Sequence, residues 1–272
     1  MVNGQSKVAE YGRVEEKEGV AGVMSSSPKE KVALVTGAAG GMGKADVLAL
    51  LASGWNIAAC DRDESRLSAL RSETEQFQSR IATYCIDVTS LASVQDAVSD
   101  ASRLGPVLAV VNNAGIGSAK RLFSDIPVED WREMLEVHVI GAVHCVLATL
   151  KGMEQAGFGR IVNISSYCAE VGSIGFSHYC AAKAALIGYS MSLALEEAEA
   201  GVTVNVVAPG LIDTPMTAGD SDAIRAVELT KIPLRRYGKP EEVAATVSFL
   251  LSDGAGYITG RVLGVNGGMV RR

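Results

Sequence analysis

The stretch VTGAAGGMGKADVLALLASG, residues 35–54, predicts the end of a strand, a glycine-rich turn and a helix that begins near Gly41. In this layout the backbone N–H groups at the start of the helix can meet a pyrophosphate. The order of strand, turn and helix therefore indicates a dinucleotide-binding α/β unit.

Three phosphate-binding patterns can be compared with this turn. A P-loop would need Gly at position 38 and Ser or Thr at position 45, and both positions hold alanine. The pattern G-x-G-x-x-G also fails, because no third glycine follows at the required distance. The spacing that fits is Thr-Gly-x-x-x-Gly-x-Gly, with Thr36, Gly37, Gly41 and Gly43.

The alternation of strand and helix continues along the chain. Short β-rich apolar runs start at positions 31, 56, 81, 108, 160, 202 and 261, and segments able to form helices separate them. This pattern predicts one α/β domain over residues 30–272, with a parallel sheet wound on both sides by right-handed crossovers. Residues 1–29 are polar and show no sustained apolar period, so we expect a flexible N-terminal extension or an artificial addition.

Asp61 ends the second predicted strand, about 18 residues beyond the glycine turn. A carboxylate there can accept hydrogen bonds from an adenosine ribose, and its charge repels a 2′-phosphate. The position therefore favours NAD, although Arg62 and Lys44 leave NADP as the alternative.

Tyr179 and Lys183 lie four residues apart on a predicted long helix, and so on one face. A nearby ammonium and an oxidised nicotinamide can lower the pKa of a phenol enough to make it a base at neutral pH. Ser166, thirteen residues before Tyr179, follows a strand at the sheet edge where parallel sheets bind ligands. Its hydroxyl can hydrogen-bond a carbonyl oxygen while the tyrosine exchanges the proton.

Together these residues resemble the short-chain dehydrogenase/reductase family over about residues 30–270. The motifs that occur in family order are the glycine turn, Asp87-Val88, NNAG at 112–115, Ser166, Tyr179, Lys183 and PG at 209–210. The resemblance implies a Rossmann fold with a doubly wound, seven-stranded parallel sheet. It also implies NAD(H)-dependent hydride transfer between a secondary alcohol and a ketone, with Tyr179 as general acid/base, and a homotetramer.

The family assigns further roles by position. Lys183 would lower the Tyr179 pKa and hold the nicotinamide ribose, and Ser166 would polarise the substrate. The cofactor-binding set comprises Thr36, Gly37, Gly41, Met42, Gly43, Asp61, Arg62, Asp87, Val88, Asn112, Asn113, Ala114, Gly115, Tyr179, Lys183, Pro209, Gly210, Ile212 and Thr214.

His138 departs from the family pattern. It lies in EVHVIGAVH, residues 136–144, where the family usually has the asparagine of its catalytic tetrad. Two hypotheses follow: a neutral spacer that acts only through its backbone, or a ring that joins the proton relay and titrates near pH 6 to 7. The spacer is the preferred interpretation.

Composition narrows the function classes. The net charge of −6 and the absence of Lys/Arg clusters longer than two disfavour nucleic-acid and anionic-membrane binding. The five cysteines show no metal-ligand spacing, so we predict free buried thiols and no metal. Apolar runs of about six residues are too short for a membrane span, and we expect a cytoplasmic protein.

Two alternatives to a general alcohol or ketone substrate remain open. One is reduction of a 3-oxoacyl group on a carrier protein or CoA, although the turn EQAGFG at 154–159 lacks the basic residues expected to meet an acidic carrier. The other is a non-catalytic dinucleotide sensor. Residues 211–234, a predicted mobile lid, would select the substrate.

Overall fold

In the computed structural model, which describes residues 31–215, 217–219 and 221–271, strands and helices alternate from Val32 to Val265. The strands are β1 Val32–Thr36, β2 Asn56–Asp61, β3 Ile81–Cys85, β4 Val107–Asn112, β5 Gly159–Ile164, β6 Val202–Pro209 and β7 Val262–Val265. The helices are α1 Gly41–Ala52, α2 Glu64–Glu73, α3 Leu91–Ala101, α4 Val128–Leu135, α5 Gly141–Ala156, α6 Cys168–Val171, α7 Ser177–Glu196, α8 Asp222–Lys231 and α9 Pro240–Leu251. The predicted extension at residues 1–29 lies outside the described residues.

The seven strands form one parallel sheet in the order β3-β2-β1-β4-β5-β6-β7. The strand order reverses between β1 and β4, and open α/β sheets bind their ligands in the crevice at such a switch point. This confirms the predicted doubly wound α/β fold. It also places the glycine turn after β1 beside the segment that follows β4.

Two apolar layers cover the sheet, because successive side chains of each strand point to opposite faces. On β1, Ala33 and Val35 pack with α1, α2 and α9, whereas Val32 and Leu34 pack with α3 and α5. Buried aliphatic side chains make up most of both layers, and the few polar side chains inside the central strands, such as Asn163 and Asn205, are buried with them.

The helical stretch Val128–Ala156 is long and apolar enough to cross a membrane by length and composition alone. It comprises α4, a π-helical turn at Glu136–Ile140 and α5. Cys145, Val146 and Met153 on α5 are buried in the second apolar layer against the sheet. These contacts with the sheet are those of a core helix in an α/β domain.

The prediction that all the thiols are buried is only partly correct. Cys60, Cys145 and Cys168 are buried, but Cys85 is exposed at the end of edge strand β3, and Cys180 is half-buried in α7. Within the part of the chain that the structure describes, β3 pairs with β2 alone, and its last side chain lies open to solvent.

Candidate active site

Thr36 joins the glycine turn to the segment after β4. Its hydroxyl accepts hydrogen bonds from the backbone N–H groups of Asn113 (3.1 Å) and Ala114 (3.0 Å). The Asn113 amide in turn donates to the carbonyl oxygens of Thr36 (3.1 Å) and Gly37 (3.2 Å). Two of the predicted cofactor motifs therefore form a single hydrogen-bonded unit at the switch point.

The start of α1 has the properties of a pyrophosphate site. No side chain caps the helix at Gly40, and its first turn holds no acidic residue, so the N–H groups and the positive end of the helix dipole are open to an anion. Any side chain at Gly43 would place its Cβ 2.1 Å from the Gly37 carbonyl oxygen. The close turn therefore requires glycine, and the residues present fit a dinucleotide. Met42 packs against the first apolar layer.

Asp61 is fixed at the mouth of this turn. Its two carboxylate oxygens accept hydrogen bonds from the backbone N–H groups of Ala39 (3.0 Å) and Asp63 (3.1 Å). Arg62 is exposed, and Lys44 forms an ion pair with Glu73 at the end of α2. Arg62 and Lys44 are the two basic residues that could bind the 2′-phosphate of NADP. Lys44 is already paired with a carboxylate.

Asp87 and Val88 lie beyond the end of β3. The exposed Asp87 carboxylate accepts from the backbone N–H (2.9 Å) and the hydroxyl (2.8 Å) of Thr89. Val88 is buried against Gly141, where an added Cβ would lie 2.6 Å from a Val88 methyl group. Val88 thus fixes the start of α5 beside the predicted adenine site.

Lys183 is held in place from inside the protein. It is 4 % exposed, and its Nζ donates to the Ile164 carbonyl oxygen at 2.8 Å. The Ser165 hydroxyl donates to the Lys183 carbonyl oxygen at 2.7 Å, which ties α7 to the end of β5. Burial lowers the pKa of the ammonium to about 8, so it keeps its charge at neutral pH.

Tyr179 and Ser166 meet at the carboxyl edge of the sheet. Burial raises the pKa of the Tyr179 phenol above its usual value, and a hydrogen bond with the Ser166 side chain opposes that rise. The Lys183 Nζ lies 5.7 Å from the centre of the Tyr179 ring. Desolvation dominates the pKa of the phenol here, and its lowering by Lys183 together with an oxidised nicotinamide stays a prediction.

His138 lies in the π-helical turn and is 3 % exposed. Its Nε2 lies 3.2 Å from the backbone nitrogen and 3.0 Å from the carbonyl oxygen of Ile116, and its ring packs edge-on against Tyr179. Burial and the Lys183 charge lower its pKa to about 3. The lowered pKa supports the neutral spacer, and a ring that titrates near pH 6 to 7 stays a hypothesis.

The ring of His138 also explains a glycine of the NNAG motif. A Cβ on Gly115 would lie 2.4 Å from Cε1 of the His138 ring. The imidazole of His138 therefore requires glycine at position 115, because only a residue without a side chain leaves room for the ring.

The segment after β6 covers the glycine turn. The Gly210 N–H donates to the Val265 carbonyl oxygen at 2.9 Å, and Ile212 is buried and bridged to Gly238. A Cβ on Gly41 would lie 3.0 Å from atoms of Thr214 and Pro215. Of the four residues predicted here, Pro209 ends β6, Gly210, Ile212 and Thr214 follow it, and Thr214 lies at the start of α1. The predicted mobility of residues 211–234 stays a prediction.

Sequence reasoning missed a buried amide chain that positions α7. The Asn112 amide donates to the Asn163 side-chain oxygen at 2.8 Å, and the Asn163 amide donates to the Ser190 hydroxyl at 2.8 Å. Polar residues inside apolar strands were the available signal, since buried amides need partners. A second omission is Asp46 in α1, which is fully buried and whose carboxyl oxygens have no hydrogen-bond partner among the described residues.

Among the described residues, no three His, Cys, Asp or Glu side chains are grouped so that they could hold a metal ion. The groups available for chemistry at the site are the Ser166 hydroxyl, the Tyr179 phenol and the Lys183 ammonium. They accompany the glycine-rich turn after β1, the predicted dinucleotide site.

The chain is similar to known proteins over most of its length. A family model described as enoyl-(acyl carrier protein) reductase matches residues 37–270. The 3-oxoacyl-[acyl-carrier-protein] reductases FabG of Thermotoga maritima and Escherichia coli are 37 % and 39 % identical to it, over 88 % of this chain and 98 % and 97 % of theirs. An acetoacetyl-CoA reductase of Rhizobium meliloti is 40 % identical over 88 % of this chain and 98 % of that protein.

Proposed function

Because the chain belongs to the short-chain dehydrogenase/reductase family of oxidoreductases, which use a nicotinamide cofactor, we propose that it reduces the 3-oxo group of an acyl thioester to a hydroxyl. The observation that carries the proposal is the grouping of Ser166, Tyr179 and Lys183 at the carboxyl end of β5, on the same edge of the sheet as the glycine-rich turn after β1. The sequence alone favoured an unspecified alcohol or ketone, and the names of the relatives favour the thioester alternative.

The side chains divide the work of ketone reduction. When bound, the cofactor supplies the hydride that reaches the carbonyl carbon. The Ser166 hydroxyl donates a hydrogen bond to the carbonyl oxygen, and Tyr179 gives its phenolic proton to that oxygen as negative charge develops on it. Since its pKa is raised, the phenol is protonated at neutral pH and ready to act as an acid.

Lys183 and His138 support this transfer. The Lys183 ammonium stabilises the phenolate that forms when Tyr179 loses its proton. His138 packs its neutral ring on Tyr179 and limits the positions that the phenol can take. We assign His138 as a positioning residue.

The turn at residues 154–159 lacks the basic residues expected to meet an acidic carrier protein. Whether this argues against a carrier-bound substrate depends on where the turn lies relative to Ser166. This turn precedes β5 and lies at the amino end of the strand, whereas Ser166 follows its carboxyl end. The lack of basic residues there cannot disfavour a carrier that approaches Ser166 of the same chain. Both carrier and CoA thioesters therefore fit the proposal.

The test is a rate measurement with matched substrates. We expect acetoacetyl-CoA or acetoacetyl carrier protein to be reduced, followed as cofactor absorbance at 340 nm. A simple ketone such as butanone should have a kcat/KM at least about 100-fold lower, because binding of the remote thioester arm contributes to the transition state. Equal rates for butanone and both thioesters would contradict the thioester assignment and leave a general ketone reductase.

For the cofactor, we propose NAD(H) rather than NADP(H). The Asp61 carboxylate is fixed at the end of β2 by two backbone N–H groups. A charge held there accepts ribose hydroxyls and repels a 2′-phosphate. The pairing of Lys44 with Glu73 supports the same choice.

Asp61→Asn tests this choice, because an amide oxygen can keep the hydrogen bond from Ala39 while the charge is lost. We expect the ratio of kcat/KM for NADH to that for NADPH to fall about 10- to 100-fold, the range for a charged hydrogen bond. Asp96→Asn, the same change on the exposed face of α3, should leave the cofactor ratio unchanged. An unaltered cofactor ratio in Asp61→Asn would refute the assignment.

We also propose a cytoplasmic homotetramer. Helices α5 and α7 expose Leu147, Met191 and Leu195. Apolar side chains on adjacent helices favour burial against a second copy of the chain.

A further inference from the structure

Three large apolar side chains lie exposed on two segments that border the candidate active site. Leu122 and Phe123 follow the NNAG motif and are 60 % and 72 % exposed, and Ile174, which lies between Ser166 and Tyr179 along the chain, is 78 % exposed. We call these three side chains the apolar rim. A contiguous apolar surface beside a catalytic site is typical of a place that a ligand covers.

The two segments that carry the apolar rim are joined to each other. The Arg121 N–H donates to the Gly175 carbonyl oxygen at 3.0 Å. A Cβ on Gly175 would lie 2.5 Å from the Cγ atom of Lys120. Leu122 follows Arg121 and Ile174 precedes Gly175, so the side chains of the rim belong to one surface.

A row of three rings connects the apolar rim to the catalytic helix. The Phe123 ring meets Trp131 of α4 edge-on, with 5.8 Å between the ring centres. Trp131 in turn lies 6.0 Å from the ring of His178, in the first turn of α7. His178 immediately precedes Tyr179, so the row fixes the position of the rim relative to the proposed proton donor.

We propose that the apolar rim binds the alkyl chain of an acyl thioester, and that the protein prefers 3-oxoacyl substrates longer than acetoacetyl. The 3-oxo group lies between Ser166 and Tyr179 in the proposed reaction, and the segment that carries Ile174 connects these two residues. The preference among substrates rests on the thioester reductase proposed above. The binding of an acyl chain to the rim does not.

The size of the apolar rim fits an alkyl chain better than a second copy of the protein. Stable association of two proteins buries about 800 Å² on each partner, from roughly 20 to 30 residues. The rim has three apolar side chains, and charged groups border it: the exposed Lys120 and the ion pair of Arg121 with Asp130 (2.6 Å). An alkyl chain needs only such a narrow strip.

The contribution of chain length to binding has a known scale. Each methylene group that leaves water completely contributes about fourfold to affinity. Decanoyl-CoA carries six more methylene groups than butyryl-CoA, and an open rim covers one side of them. We therefore expect decanoyl-CoA to bind at least about tenfold more tightly than butyryl-CoA.

The first test is a titration of the full-length protein with these two ligands below their micelle concentrations, followed by calorimetry. Both acyl chains lack a 3-oxo group, so the measurement needs no turnover. Decanoyl-CoA should also change the fluorescence of Trp131, which is half-buried against Phe123, and Trp131→Phe should lose this change because the other tryptophan, Trp55, is buried. Equal dissociation constants for the two ligands would overturn the proposal.

Variants of the apolar rim show where the chain binds. Phe123→Ala and Ile174→Ala should each lower the ratio of the two dissociation constants severalfold, because each removes apolar surface from the rim. Tyr257→Ala, on a fully exposed aromatic residue beyond α9, is the matched control and should keep the wild-type ratio. A wild-type ratio in both rim variants would contradict the assignment. A change in their oligomeric state, measured by light scattering, would instead identify the rim as a contact between copies.

The kinetic arm compares 3-oxodecanoyl-CoA with acetoacetyl-CoA. Wild type should show a kcat/KM about tenfold or more higher for the longer substrate, and Phe123→Ala should lose most of this difference. Tight binding of decanoyl-CoA without reduction of either substrate would refute the reductase and leave the rim. Equal reduction of both substrates, together with equal binding of the two saturated ligands, would refute the rim and leave the reductase.

Discussion

Replacing Tyr179 with phenylalanine is expected to lower kcat by about a thousandfold, the middle of the range for removal of a general acid/base. The phenol is the group beside Ser166 that can give a proton to the carbonyl oxygen. The variant keeps the ring that packs against His138, so binding of NADH, measured by fluorescence titration, should change little. Rates are followed at 340 nm with acetoacetyl-CoA.

Tyr189→Phe is the matched control, because it removes the same atom from the same helix. Tyr189 lies ten residues further along α7, and its hydroxyl is buried. Its replacement should leave kcat near the wild-type value, because Tyr189 lies almost three helical turns from Tyr179. Full activity in Tyr179→Phe would overturn the mechanism, and tight NADH binding without turnover in wild type would favour the non-catalytic sensor.

Asp46→Asn is expected to stabilise the protein by several kcal/mol at pH 8 and to have little effect at pH 4. Asp46 is fully buried in α1, and burial raises the pKa of its carboxyl from 3.8 to about 8. An ionised carboxylate without a partner is costly inside an apolar layer. Asparagine has the same shape and no charge.

The direction in which stability changes with pH follows from the proton of Asp46, which the folded protein binds more tightly than the unfolded chain does. Below about pH 4 the carboxyl is protonated in both states, and its full contribution to stability is present. Between pH 4 and 8 the unfolded chain loses this proton while the folded chain keeps it, so stability falls by about 1.4 kcal/mol per pH unit. The wild type therefore loses about 5 kcal/mol over this range through Asp46 alone.

Urea unfolding of wild type and variant from pH 4 to 9 measures this effect, because the difference between the two removes the other titrating groups. Asp96→Asn, on the exposed face of α3, is the control and should show no such trend. A constant difference between wild type and Asp46→Asn across the pH range would contradict the prediction.

The positions of several predicted residues followed from local patterns. Apolar runs separated by helical segments indicate a parallel sheet, because each strand is covered on both faces. The spacing of Thr36, Gly37, Gly41 and Gly43 describes one turn, and the spacing of Tyr179 and Lys183 describes one helix face. Sequence distance and spatial distance agree over such short spans.

Other features needed contacts between distant segments. The His138 ring reaches Ile116, 22 residues away, and desolvation and the Lys183 charge determine its pKa. The sequence of residues 136–144 predicts neither the contact with Ile116 nor the pKa of the ring. The sequence alone therefore left the titrating ring as an open hypothesis. The raised pKa of Tyr179 likewise comes from burial.

The sequence by itself determined the α/β fold, the dinucleotide turn and the serine, tyrosine and lysine that we assign to proton transfer, because these depend on local periodicity and spacing. Only the tertiary structure brought the His138 ring against Gly115 and buried Asp46 without a hydrogen-bond partner among the described residues. Burial and side-chain contact arise when separate elements pack, and they determine which ionisable groups lose water.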